Sequence, residues 1–193
     1  WKTVKAKGKV SIQMPPDIDL SIDSSSGGTD ISGDFGDAVI HFDGSSGSLN
    51  VDGAAREVRA DSSSGSIRAV VMRPLELFSA DLSSGRVSLV GGAHEARVDT
   101  SSGSIDLEGL LGGGIFDSSS GSITCRWDAI PAGAKVRADA SSGSVTLRFP
   151  EDTQLAGRVE VSSGGIHTDF PGTMSKRHLD LNGGPGAVDL AVD

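Results

Sequence analysis

The chain has no tyrosine, one cysteine, two tryptophans and six phenylalanines in 193 residues. Large side chains fill the interior of an ordinary globular domain, so this scarcity, set beside 27 glycines and 30 serines, implies a narrow core. The lone Cys125 excludes an internal disulfide framework and a cysteine-based zinc site. Positive charge is scarce too. With 17 Lys and Arg against 26 Asp and Glu, the formal charge is -9. That argues against nucleic acid, whose binding rests on Lys and Arg displacing counterions from phosphate. No apolar run has membrane-spanning length, and 36% hydrophobic residues suffice for one continuous core. The chain opens on Trp1, so any signal or anchor is expected upstream of it.

What the chain does have is a repeat. Ser-Ser-Gly or a close variant recurs with its glycine at Gly27, Gly47, Gly65, Gly85, Gly103, Gly121, Gly143, Gly164 and, in a degenerate Asn-Gly-Gly, Gly184. The position five before each glycine is apolar in every copy, from Ile22 and Phe42 to Val159 and Leu179. The positions two and four after it are mostly aliphatic, as in Ile67 with Ala69 and Ile105 with Leu107. Both runs have the period of a strand with one face buried. Inward positions are odd before the glycine and even after it, so the alternation slips by one residue at the triplet. A corner that reverses pleat parity favours glycine at positive φ. On that argument Gly103→Val is expected to cost more than about 2 kcal/mol, while Ser104→Ala is nearly silent.

One short rung per repeat points to an all-β chain forming a single parallel β-helix, or β-solenoid, of about nine rungs of 18–22 residues, expected right-handed. The whole of 1–193 reads as one domain, with 1–20 as an N-terminal capping strand and 21–193 as the repeats. Propellers and sandwiches need longer units and antiparallel strands. The connection opposite each triplet varies in length and sequence, and a specific binding site is expected on those loops.

Four residues before each glycine stands an acid: Asp23, Asp43, Asp61, Asp81, Asp99, Asp117, Asp139, Glu160 and Asp180. Stacked at rung spacing, such carboxylates repel by roughly 1 kcal/mol per neighbour in water. Two residues earlier on the same face, six of nine positions are His or Arg, including Arg59, Arg97, Arg137 and Arg158, and a ladder of ion pairs follows. The sharper alternative is weak Ca²⁺ collection along Asp61, Asp81, Asp99 and Asp117, since hard cations take several carboxylate oxygens. Asp81 and Asp117, whose neighbours two residues back are Ser79 and Ile115, are expected to be the least screened.

Catalysis leaves no comparable trace. A glycan-cleaving β-helix places a singular cluster of carboxylates on a few rungs, whereas these acids are uniform. The irregular polar residues are His94 with Glu95, His167, His178, and the loop Arg126, Trp127, Asp128. Trp127 follows the inward Cys125 by two, so it either finishes a core strand or, with its neighbours, forms a ligand loop. Neither a catalytic residue nor a cofactor is expected.

The copies of the form [VA]-D-x-S-S-G-[SG]-[IV], together with IPAGAKVRADASSGSV and LRFPEDTQLAGRVEVSSGGI, resemble the bacterial adhesin family of β-solenoid repeat domains. The resemblance implies an extracytoplasmic, non-catalytic binding or adhesion-like scaffold in the periplasm, on the cell surface or secreted. Its partner would be a cell-surface or envelope protein or glycan. Two other roles fit the same repeats: a structural protein polymerising end to end by rung stacking, and a glycan-active β-helix enzyme.

Overall fold

The computed structural model describes residues 9–161, 165–175 and 177–193. Twelve strands form one sheet system, and no helix occurs among the described residues. They are β1 (Leu20–Ser24), β2 (Gly27–Asp34), β3 (Val39–Ala54), β4 (Glu57–Val71), β5 (Leu75–Val90), β6 (Ala93–Leu110), β7 (Gly114–Trp127), β8 (Lys135–Arg148), β9 (Leu155–Glu160), β10 (Gly172–Met174), β11 (His178–Asn182) and β12 (Val188–Val192).

Six parallel interfaces stack the repeats: β1 and β2 on β3, then β3–β4, β4–β5, β5–β6, β6–β7 and β7–β8. This is a parallel β-solenoid of about six turns, fewer than the nine rungs the sequence suggests. Each of β3 to β8 passes through its own Ser-Ser-Gly. Backbone pairing skips the first serine there, as between Gly44↔Ser62 and Ser46↔Ser64. Burial follows the expected slip: Phe42 and Gly44 are inside, Ser45 and Ser46 are outside, and Leu49 and Val51 are inside again.

The triplet glycine has a more specific cause than turn geometry. A Cβ built on Gly47, Gly65, Gly85, Gly103, Gly121 or Gly143 would come within 3.0 Å of the carbonyl oxygen of the corner glycine one rung earlier. Stacked corners touch backbone to backbone, and any side chain pries two rungs apart. Gly65, Gly85, Gly121 and Gly143 also take positive φ, but Gly47 and Gly103 do not. The conformational part of the argument for Gly103 therefore fails, and close approach to Gly85 replaces it.

The narrow interior fits its few aromatics beside missing side chains. Added carbons on Gly44 and Gly114 would run into the rings of Phe42 and Phe116, each two residues away on the same face. Phe78, in a third rung, is followed on that face by the small Ala80. Bulk at one inward position is offset at the next, which keeps the rungs equal in width.

The column three before the corner glycine holds Ser62, Leu82, Thr100 and Ser118 in register. The Ser62 hydroxyl donates to the Ser64 carbonyl at 3.0 Å. Among the described residues, Thr100 Oγ1 and Ser118 Oγ are buried without a hydrogen-bond partner. An unpaired buried hydroxyl costs about 1–3 kcal/mol. Thr100→Val, which keeps the shape and removes the oxygen, is expected to raise stability by about 1 kcal/mol in urea unfolding.

The N-terminal part of the first 20 residues is not a strand where it is described. Residues 9–19 lack strand structure and are mostly exposed, and residues 1–8, with Lys5 and Lys7, lie outside the described residues. The segment is held by carboxylates instead: Asp17 Oδ1 accepts from the Asp37 N–H and Asp19 Oδ1 from the Val39 N–H, both at 2.9 Å.

The far end departs further from the repeat. Strand order runs β8-β12-β9-β11-β10. The last strand, β12, inserts in parallel between β8 and β9, while β11 pairs antiparallel with both β9 and β10. The eighth and ninth copies therefore close the stack as an antiparallel cap rather than as further rungs. Gly164 lies outside the described residues, and among the described residues a Cβ on Gly184 would meet the Gln154 side chain at 3.3 Å.

Candidate functional site

The acid ladder forms in the expected register, with Asp23↔Asp43↔Asp61↔Asp81↔Asp99↔Asp117↔Asp139 paired rung to rung. Its counterions differ from the expected pattern. Arg59 turns away from Asp61 to Glu57 at 2.7 Å, and Arg97 bonds Glu95 through Nε at 2.8 Å rather than Asp99. Glu57 is buried and also meets Arg56, and a carboxylate withdrawn from water gains most from a pair. Arg137 does reach Asp139 at 3.5 Å, and Arg158 joins Glu160 at 3.5 Å to Asp180 at 3.3 Å. His178 Nδ1 lies 3.3 Å from Glu160.

The ladder's middle is thus left with little neutralisation. Burial, then the Asp81 charge, pushes the Asp61 carboxyl above the usual carboxylate range, with Asp43 adding to this and His41 opposing it. Burial and the charges of Asp99 and Asp139 do the same to Asp117, against Arg137. Folding stability contributed by these groups is fully present below the ordinary Asp pKa of about 3.9 and is lost as pH rises through the raised folded values. Asp61→Asn and Asp117→Asn are therefore expected to stabilise the protein at pH 7 in low salt. Thermal melts should show the gain shrinking in 1 M salt and vanishing near pH 3. Among the described residues, no three His, Cys, Asp or Glu side chains gather where they could hold one metal ion. The carboxylates of Asp61, Asp81, Asp99 and Asp117 stand in single file, without the convergence Ca²⁺ needs.

The structure removes Trp127 from the ligand loop. Its ring is buried, stacked on Phe149 at 4.5 Å and set edge-on to Phe116 at 6.0 Å. Its Nε1–H donates to the Gly112 carbonyl at 2.7 Å. Arg126 and Asp128 stay at the surface and face each other at 3.4 Å. Cys125 is fully buried, and desolvation pushes its thiol above its usual pKa, which disfavours the reactive thiolate.

Two hollows remain. One, of about 310 Å³, lies on the outer face between His94, Glu95, Arg97, Gly113, Ile115 and Lys135, where the Gly-Gly-Gly of the β6–β7 connection supplies no side chains. The other, also about 310 Å³, lies at the C-terminal end of the solenoid interior. Its walls include Val145 and Leu147 from β8, Leu155 and Val159 from β9, Leu190 and Val192 from β12, and Ile166 and Phe170 from the segment after β9. Glu160, His167 and Asp193 add polar groups. Sequence reasoning singled out His167 but missed this cavity. The available signal was Thr168, which stands where every earlier copy has an aliphatic residue or cysteine.

No match was found among curated proteins or among solved structures. The repeats, the stacked corners and the cap agree with one finding that spans nearly the whole chain: over residues 3–189 it matches, and therefore belongs to, the Toastrack DUF4097 family.

Proposed function

We propose that the protein is a non-catalytic, adhesion-like binding scaffold that works outside the cytoplasm and displays its faces to an envelope protein or glycan. The observation that carries this reading is the sameness of the rungs. From β3 to β8 each turn presents the same acidic column and the same small-residue corner, with sequence differences gathered in the connections and at the C-terminal end. A rod of this kind holds binding surfaces at fixed spacing, as other solenoids do. Growth by rung stacking is disfavoured, because β12, β9, β11 and β10 prolong one face of the stack past β8, where a second copy would have to seat its first rung.

The test is retention of purified protein on isolated envelope fractions and glycan arrays, alongside fractionation of cells expressing the native gene. Saturable retention and an extracytoplasmic location are expected. Turnover of any polysaccharide in a panel, abolished by substituting His94 and Glu95, would overturn the reading in favour of an enzyme.

A further inference from the structure

The outer-face hollow is a place where one rung lacks a side chain that its neighbours have. Eight residues before the corner glycine, the outer face carries Val39, Glu57, Leu77 and Glu95 in successive rungs and Lys135 in β8, but Gly113 just before β7. A Cβ on Gly113 would lie 2.6 Å from the Lys135 carbonyl oxygen, so close stacking keeps that place empty. The backbones at Glu95 and Lys135 stand two strand spacings apart, about 9.6 Å, with a space one side chain thick between them. Two residues on, Arg97, Ile115 and Arg137 are in register, and the exposed Ile115 gives that space an apolar wall. The polar groups around it are only partly engaged. Arg97 donates through Nε and a terminal nitrogen to the same oxygen, Glu95 Oε1, which among the described residues leaves Oε2 without a donor. Glu95 and Asp139 are held by Arg97 and Arg137, and among the described residues Lys135 is in no ion pair. Asp189, the register partner of Lys135 in β12, lies outside the hollow.

We propose that this hollow binds a single uronic-acid residue of a glycan. The proposal rests on the binding-scaffold reading and names the class of ligand. A flat sugar ring fills a space one side chain thick and lays its C–H face on Ile115. Its hydroxyls donate to Glu95 Oε2, which accepts only, and its carboxylate takes the Lys135 ammonium, which donates only. With Glu95 already neutralised by Arg97, the charge left on the rim of the hollow is positive, and an anionic sugar fits it better than a neutral one. The volume, about 310 Å³, suits one or two sugar residues. The acid column at Asp99, Asp117 and Asp139 runs four residues further along the same face, roughly 13 Å from the glycine floor, so an isolated carboxylate is favoured over a run of them. An acidic peptide carries its carboxylate on a flexible stem and brings no rigid ring to occupy the layer.

The test is a nuclear magnetic resonance titration of the nitrogen-15-labelled chain with a disaccharide of one glucuronate and one glucose. The controls are the disaccharide with glucose in place of glucuronate, and triglutamate. Saturable shifts are expected at the amides of 94–97, 113–115 and 135, with none at 39–43 on the same face. Both controls should bind more weakly by about tenfold or more. Lys135→Met, which removes the cation, and Ile115→Trp, which fills the space, should each weaken binding by about tenfold or more at an unchanged melting temperature, since both positions are exposed. The location of the shifts in the unsubstituted chain needs no variant to fold. No saturable shift, shifts centred elsewhere, or equal binding of triglutamate overturns the uronate site. If envelope retention persists in that case, only this site fails. Cleavage of the disaccharide would instead sink the scaffold reading itself.

Discussion

Gly85→Ala is expected to destabilise the protein by more than about 3 kcal/mol, the range of substitutions that force packed backbone apart. Two effects act at this position. Its φ of 135° is one that L side chains rarely adopt, which costs about 1–3 kcal/mol. A Cβ there also lands on the Gly65 carbonyl and crowds Leu82, so the fourth and third rungs must separate and give up ladder hydrogen bonds. Other corners divide the two effects. Gly27 has positive φ with open space around an added carbon, so Gly27→Ala should show the conformational cost alone, about 1–2 kcal/mol. Gly103 has no positive φ but abuts Gly85, so Gly103→Ala should show the contact cost alone. Urea unfolding of the three variants should rank Gly85 worst and Gly27 mildest. Equal losses at all three would mean that the corners do not touch.

Trp127→Ala should cost about 3–5 kcal/mol, as truncation of a large buried aromatic does. The ring joins three consecutive parts of the molecule: Phe116 of its own rung, Phe149 after the next, and the Gly112 carbonyl in the connection between β6 and β7. Removing it leaves a cavity beneath Phe149 and an unpaired carbonyl. Trp127→Phe should recover most of the packing but not the hydrogen bond, for an intermediate loss. If both variants melt at the wild-type temperature, the tryptophan is not a core residue and the surface-loop reading returns. Fluorescence gives an independent check, since an emission maximum of buried character from Trp127 should shift to the red only on unfolding.

The solenoid could be read from the sequence because its physics is local and repeated. Each rung buries its columns only on its neighbours, so Ile67, Val87, Ile105 and Ile123 had to recur at matching positions, and the acid column falls in its expected register from Asp23 to Asp139. The reason for the corner glycine was only half visible: positive φ can be inferred from a slip in alternation, whereas contact with the next corner depends on how closely rungs stack. Counterion choice was hidden for a related reason. Arg59 has a carboxylate two residues away on either side, Glu57 and Asp61, and burial, which no spacing reveals, selects Glu57.

The C-terminal end was the least legible part. Val188, Leu190 and Val192 have the alternation of any first strand in the repeat, and nothing local says that they enter between β8 and β9 rather than after them. That placement is decided by competition among edges once the earlier rungs exist. Residues 165–168, Gly-Ile-His-Thr, carry no strand structure although they follow the eighth Ser-Ser-Gly.

Distances along the acid ladder test the parallel stack most directly. Nitroxide labels attached at Asp139 and, in separate double variants, at Asp61, Asp43 or Asp23 sit four, five or six rungs apart in the paired register, and buried Cys125 stays unlabelled. At about 4.8 Å per rung, dipolar spectroscopy should give separations near 19, 24 and 29 Å, rising by one equal step per rung. Separations that fail to rise in order, or that scatter by more than the label's own reach, would contradict a continuous stack of Ser-Ser-Gly corners.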